Sequence, residues 1–262
     1  MMKRAIGCLS VGLALVLVWD PTFLVQAQAP ETQPYGYGRP PQSQSAPDTS
    51  VPQNTQPLSE EELKRAEALL PMLEGKQEYW AMGEFVHLGL PVVPVLIKAL
   101  NMPGPRARYN AIETIAMLKA TEAVPALLEH ARQPNEMPRI REHALRTAIR
   151  LDSARAAETL AVMAKDAHDS VRKAAAFEAR YVRHRDVVPM LIDLLSDDER
   201  YVAISAIQSL WLLTRHESEM HDWETSSKAD REEWSQEWRE WWSSVKDAYE
   251  MPQPTRSRSS SS

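Results

Sequence analysis

The chain has 262 residues, 44% hydrophobic and 25% charged, with a formal net charge of −6, the balance of a soluble globular protein able to bury a sizeable core. Only 8 glycines are present and none follows Gly104, so strand-rich folds and phosphate-cradling loops lack the residue they usually need over more than half of the chain.

Lys3 and Arg4 precede an apolar run from Ala5 to Trp19 and the small-residue site Val25-Gln26-Ala27. Together they predict a secretory signal peptide over 1–27, cleaved after Ala27, and export to a bacterial periplasm or beyond. An uncleaved N-terminal anchor is the alternative, for which the run is short against a hydrocarbon core of about 30 Å. Cleavage would remove Cys8, the only cysteine, excluding disulfides and thiolate metal sites from the mature chain. It would leave 28 basic and 35 acidic residues and no membrane span.

Residues 28–57 hold 7 Pro and 6 Gln and almost no aliphatic side chains, so they read as a disordered linker. Order begins at Ser59, which can cap a helix with Glu62 reaching back to it and Leu58 and Leu63 in staple positions. Leu63, Ala66, Leu70 and Leu73 form its expected apolar stripe, with Pro71 as a kink and Gly75 as the stop.

A phrase then recurs: "VPVLIKAL" at 93, "VPALLEHA" at 124, "AETLAVMA" at 157 and "VPMLIDLL" at 188. With Val93, Val124, Ala157 and Val188 as zero, the periods are 31, 33 and 31, and offsets 0, 3, 4 and 7 are apolar in every unit. A second helix is anchored on Ala111, Ala144, Ala175 and Ala206, apolar at −4, 0, +1 and +4. The pattern is a repeated helical hairpin whose copies bury one another's stripes. Pro94, Pro125 and Pro189 sit in first turns, where proline is tolerated; unit three has Glu158 instead. Unit two carries two extra residues within "RQPNEMPR", between its helices.

These openings, with "ARYNAIETI", "IREHALRTA", "VRKAAAFEA" and "VAISAIQSL", resemble HEAT repeats, in particular the short bacterial kind first associated with phycobilisome lyase subunits. The resemblance covers roughly 77–216, including a worn unit in which Ala81, Met82, Phe85 and Leu88 fit and Gln77 does not. It implies an all-α solenoid of four to five hairpins, here assigned to 58–216. It also implies that Arg108, Arg141 and Arg172, at one register position in successive units, form an internal inter-repeat ladder; a ligand-binding arginine row is the alternative. The family includes scaffolds, adaptors, chromophore-attachment partners and a few enzymes, so it does not name an activity.

Residues 217–250 follow with a different pattern. Trp234, Trp238, Trp241, Trp242, Val245 and Tyr249 fall on one stripe of one helix, read as a cap docking on unit four near Trp211 or, alternatively, as an aromatic platform for glycan or peptide. Residues 251–262 read as a disordered tail. Charge divides along the chain, with net +5 from Val93 to Asp186 and net −9 from Asp193 to Glu250.

Chemistry is hard to find. His216, Glu217 and His221 approximate a zinc signature, but a spacing of five turns the second histidine away by about 140° on a helix. "HRD" at 184–186 has Leu191 where a kinase needs asparagine, and the nucleophile-elbow and glycine-loop motifs are absent. Iron-binding HEAT-like hydroxylases use repeated His-Glu pairs, and one such pair occurs, at His216 and Glu217. No catalytic residue, metal or cofactor is expected. The reading is an exported, non-catalytic scaffold or adaptor that binds a protein or cell-envelope polymer on the inner surface of the stack, through Tyr109, Glu113, Arg146, Arg150, Phe177 and Tyr181. The alternatives are a HEAT-like enzyme or accessory subunit, such as a phycobilin-lyase-like or DNA-glycosylase-like protein, and glycan binding through the C-terminal aromatic face. Export and negative charge argue against nucleic acid.

Overall fold

A computed structural model describes residues 56–252. The expected signal peptide and cleavage site, the expected linker up to residue 55 and the tail from residue 253 lie outside the described residues.

Ser59 opens α1 (Glu60–Leu69): its Oγ accepts from the Glu62 amide at 3.3 Å, and the Glu62 carboxylate accepts from the Ser59 amide at 2.8 Å. The inward face is Ala66, Leu69 and Leu73, whereas Leu63, expected on the stripe, is 41% exposed. Pro71 ends the α-helix at Leu69 rather than kinking it, and a 3-10 turn over Leu70–Glu74 carries Leu73 into the core before Gly75.

Ten further α-helices follow among the described residues: α2 (Glu78–Leu88), α3 (Val93–Ala99), α4 (Pro105–Met117), α5 (Val124–Ala131), α6 (Pro138–Leu151), α7 (Ala157–Met163), α8 (Asp169–Glu178), α9 (Val187–Leu194), α10 (Arg200–Thr214) and α11 (Lys228–Val245). No strand occurs among these residues. Helices α1 to α10 form five hairpins stacked in two layers. The second helices pack in the order α2, α4, α6, α8, α10, and the first helices α5, α7 and α9 pack in a parallel row, with α11 against α9. The described residues form an all-α solenoid.

All sixteen expected core positions of the second helices are buried, with Ala111, Ala144, Ala175 and Ala206 fully so. A methyl group at each anchor brings neighbouring axes close, so the branched residues beside it interlock. The first helices differ from expectation. Leu96, Leu127, Leu160 and Leu191 are fully buried, but Ala161 is exposed and Ile97 and Ala157 are half-buried. The inward face instead includes the residue just before each zero position (Val92, Ala123, Ala156, Val187) and the one six positions after it (Ala99, His130, Met163, Leu194). A short 3-10 turn precedes α3, α5 and α7 and rotates the start of the stripe. Of the two extra residues in unit two, one lengthens α5 to Ala131 and the other lengthens the following loop.

The ladder arginines each reach out of their own hairpin. Arg108 donates to both Glu136 carboxylate oxygens at 2.5 and 2.8 Å and to the Met102 carbonyl at 2.7 Å. Arg141, 1% exposed, donates to the Ala131 carbonyl at 3.0 Å and pairs with Asp166. Arg172 grips Asp197 at 2.7 and 2.9 Å and the Asp166 carbonyl at 2.9 Å. Each acceptor carboxylate lies in the inter-helix loop of the next unit, so one side chain ties its own loop to its neighbour's. At the worn unit the same register holds Glu78, and polarity reverses: Glu78 accepts from Arg106 and Asn110. At the far end Ala203 breaks the series, and Arg231 of α11 supplies the donor, to the carbonyls of Asp197 at 2.9 Å and Ser226 at 3.1 Å.

Helix α11 docks through Arg231, Ser235 and Trp238, all buried, with Trp234, Trp241 and Trp242 half-buried beside them. Two details differ from expectation. The helix ends at Val245, so Tyr249 is not on it; its hydroxyl donates to the Thr214 carbonyl at 3.1 Å. Order also passes residue 250: Met251 packs on the core and Arg183 donates to the Pro252 carbonyl.

Two stability outcomes follow. Leu160→Ala removes a fully buried side chain and is expected to cost about 2–5 kcal/mol, while Ala161→Ser stays within about 0.5 kcal/mol, by urea denaturation. Arg141→Met strands Asp166 and is expected to cost about 3–5 kcal/mol; breaking the exposed Arg132–Glu158 pair is expected to cost under about 1 kcal/mol.

Candidate binding face

Each second helix uses one face for the core, which leaves two other register positions for large side chains. Two residues after the anchor stand Glu113, Arg146, Phe177 and Gln208, and six after it stand Met117, Arg150, Tyr181 and Leu212, all four of the latter exposed. A column of long exposed side chains therefore crosses four successive units, with one cation among three apolar or aromatic groups.

Four of the six residues singled out from sequence meet in one place. Arg146, Arg150, Phe177 and Tyr181 line a hollow of about 460 Å³ between α6 and α8, together with Ile149, Ser153 and Glu178. The Phe177 and Tyr181 rings meet edge-on at 6.4 Å, and the Arg180 guanidinium lies 3.9 Å over the Phe177 ring. Arg146 is not free: its Nε donates to the buried Glu178 carboxylate at 2.9 Å. Arg150 is exposed and forms no ion pair among the described residues, so its guanidinium is available to an outside anion.

The other two residues lie elsewhere. Tyr109 lines a second hollow, of about 400 Å³, with Tyr79, Arg106, Met137 and Arg139. Its ring stacks on His143 at 4.3 Å, and Arg139 sits 5.5 Å from its centroid. Glu113 faces inward to His143 at 3.2 Å and lines neither hollow. The expected single surface is thus two hollows, one with Arg150 and one with Tyr79 and Arg139. Tyr79, 78% exposed, and Arg139 were missed because the worn unit's register is faint and Arg139 lies one residue before the repeating core position.

Two histidines are buried, His143 on α6 and His130 on α5. His143 has its pKa lowered chiefly by burial, and also by Arg146, Arg150 and Arg139, against the opposing pull of Glu113. His130, 2% exposed, is lowered by burial although its Nε2 lies 3.0 Å from Glu136. Burial raises the Glu136 and Asp166 carboxyls, but hydrogen bonds from Arg108 and Arg141 and from backbone amides hold both below their ordinary values.

In the C-terminal region His216 stacks on Trp241 at 4.1 Å and His221 on Trp234 at 4.3 Å, so the two histidines occupy different indoles. Trp223, only 5% exposed, meets Trp234 edge-on at 5.0 Å and completes the cluster. No single helix among the described residues is long and apolar enough to cross a membrane.

Two overlapping segments, residues 93–179 and 159–218, match the family model for HEAT repeats, and the chain is a HEAT-repeat protein. Among solved structures it is similar to the complex of CpcE and CpcF of phycocyanin lyase from Nostoc sp. PCC7120, at 21% identity over 56% of this chain and 98% of that one, with a TM-score of 0.46. No curated protein matches it.

The pH dependence has a definite sign. All four groups are harder to protonate in the folded state than in the unfolded chain, so the unfolded state binds more protons as pH falls. Stability is expected to be full above about pH 6.5, to decline as the histidines begin to charge, and to fall more steeply below about pH 4 as Glu136 and Asp166 protonate. Thermal midpoints measured from pH 8 to 3 test this, and a flat profile from 7 to 5 would contradict the role given to His130 and His143.

Proposed function

We propose that this protein is an exported, non-catalytic HEAT-repeat scaffold whose second-helix face holds a protein partner. The observation that carries the reading is the hollow between α6 and α8, where the unpaired Arg150 guanidinium stands beside exposed Phe177 and Tyr181. A planar cation flanked by aromatic edges suits a partner carboxylate next to an apolar side chain. Repetition supports a long, shallow contact, since the column Met117, Arg150, Tyr181 and Leu212 extends the same chemistry over four units. The basic middle and acidic end of the chain would orient such a partner. Export rests on the basic pair, apolar run and Val-Gln-Ala site at the N-terminus.

The partner is sought by photo-crosslinking from Tyr181 in the native host. Arg150→Glu and Phe177→Ala are expected to weaken its binding at least about tenfold each, while thermal stability changes little because both positions are exposed. Retention of every partner by the double variant would refute the surface. The export component is tested separately: protein from the envelope or medium is expected to begin at Gln28, and a cytoplasmic chain with an intact N-terminus would overturn it.

A further inference from the structure

We infer that the C-terminal cap contains a binding site for a single divalent transition metal of the zinc class, formed by Glu219, His221 and Glu237. One oxygen of each carboxylate and one nitrogen of the imidazole lie within 4.8 Å of one another. His221 Nε2 is 3.1 Å from Glu237 Oε2. Glu219 and His221 lie in the segment that joins the last hairpin to α11, and Glu237 projects from the middle of that helix.

Three features make this more than a surface pair of charges. First, the imidazole is pre-oriented. It lies flat on Trp234, with an interplanar angle of 1°, and Trp234 is braced by the buried Trp223. Second, Glu237 stands three residues after Trp234 in the same helix, so the residue that fixes the ring and the residue that faces its nitrogen share one helix face. Third, no Lys or Arg forms an ion pair with Glu219 or Glu237 among the described residues. Two carboxylates and an imidazole thus converge without a lysine or arginine among them, a donor set that a divalent cation would draw together.

The donor set selects the ion. Calcium and magnesium favour all-oxygen shells, whereas a nitrogen and two carboxylate oxygens suit zinc, with ligand distances of about 2.0–2.2 Å and a fourth position left to water. Glu219 is exposed and would close onto the ion by a small side-chain movement. His216 does not join His221 as a second ligand; the site uses His221 with carboxylates instead, one of them sixteen residues away. Binding there would pin the connecting segment to α11 and so hold the cap on the solenoid.

The test uses the full mature chain, stripped with chelator and titrated with zinc chloride by calorimetry and tryptophan fluorescence. One saturable equivalent is expected, together with a thermal midpoint that rises with zinc concentration. Glu219→Gln is the decisive variant, because this side chain is exposed and its loss leaves the metal-free fold unchanged. It is expected to weaken zinc binding at least about tenfold, and Glu237→Gln to do the same. Binding by Glu219→Gln equal to wild type, no saturable equivalent in the wild type, or tighter binding of calcium or magnesium than of zinc would each overturn the assignment.

Discussion

The structure depends on the side-to-side burial of one helix face against the same face of the next hairpin. The two helices of a hairpin pack on each other but leave part of the apolar stripe uncovered, so neighbouring second helices complete one another's core. At its centre stand Ala111, Ala144, Ala175 and Ala206, one per unit and all fully buried. This mutual burial also explains why both ends are built differently. The N-terminal hairpin covers α4 with a 3-10 turn and α2, and the C-terminal hairpin is covered on α9 by α11.

Stacking buries polar groups as well as apolar ones, and the solution is again periodic. An arginine entering the next unit's loop satisfies a carboxylate and one or two carbonyls at once, so charge buried at the interface is paired and hydrogen-bonded. The reversal at Glu78 and Arg106 and the substitution of Arg231 at the cap show that the interface needs a bridging ion pair or donor, not a particular residue number. Because the loops and the apolar stripe are both committed, the side chains six places after each anchor are left for outside contact, whereas two places after it Glu113 and Arg146 are drawn to His143 and Glu178.

The cap is held by a different interaction. Indole rings there pack on one another and on two histidines, which fixes ring planes more firmly than aliphatic packing would. That rigidity makes His221 a defined donor instead of a mobile surface side chain, and it joins a segment without regular structure to a helix.

By itself the sequence determined the architecture of the repeats. A period of 31 to 33 residues with apolar positions at helical spacing admits little besides stacked hairpins, and the Ser59 capping box was legible because its partners are three residues apart. Tertiary structure decided what depends on distant contacts. The inward rotation of the first helices, with Ala161 exposed and Met163 buried, follows from 3-10 turns that no local pattern announces. Helix stops at Lys119 and Arg215 take left-handed backbone without glycine, so the usual signal is missing. The grouping of Arg150 with Tyr181, and of His221 with Glu237, joins residues 31 and 16 apart. Periodicity records which side of a helix is buried; which exposed side chains come to face one another is set only when the hairpins and the cap are docked.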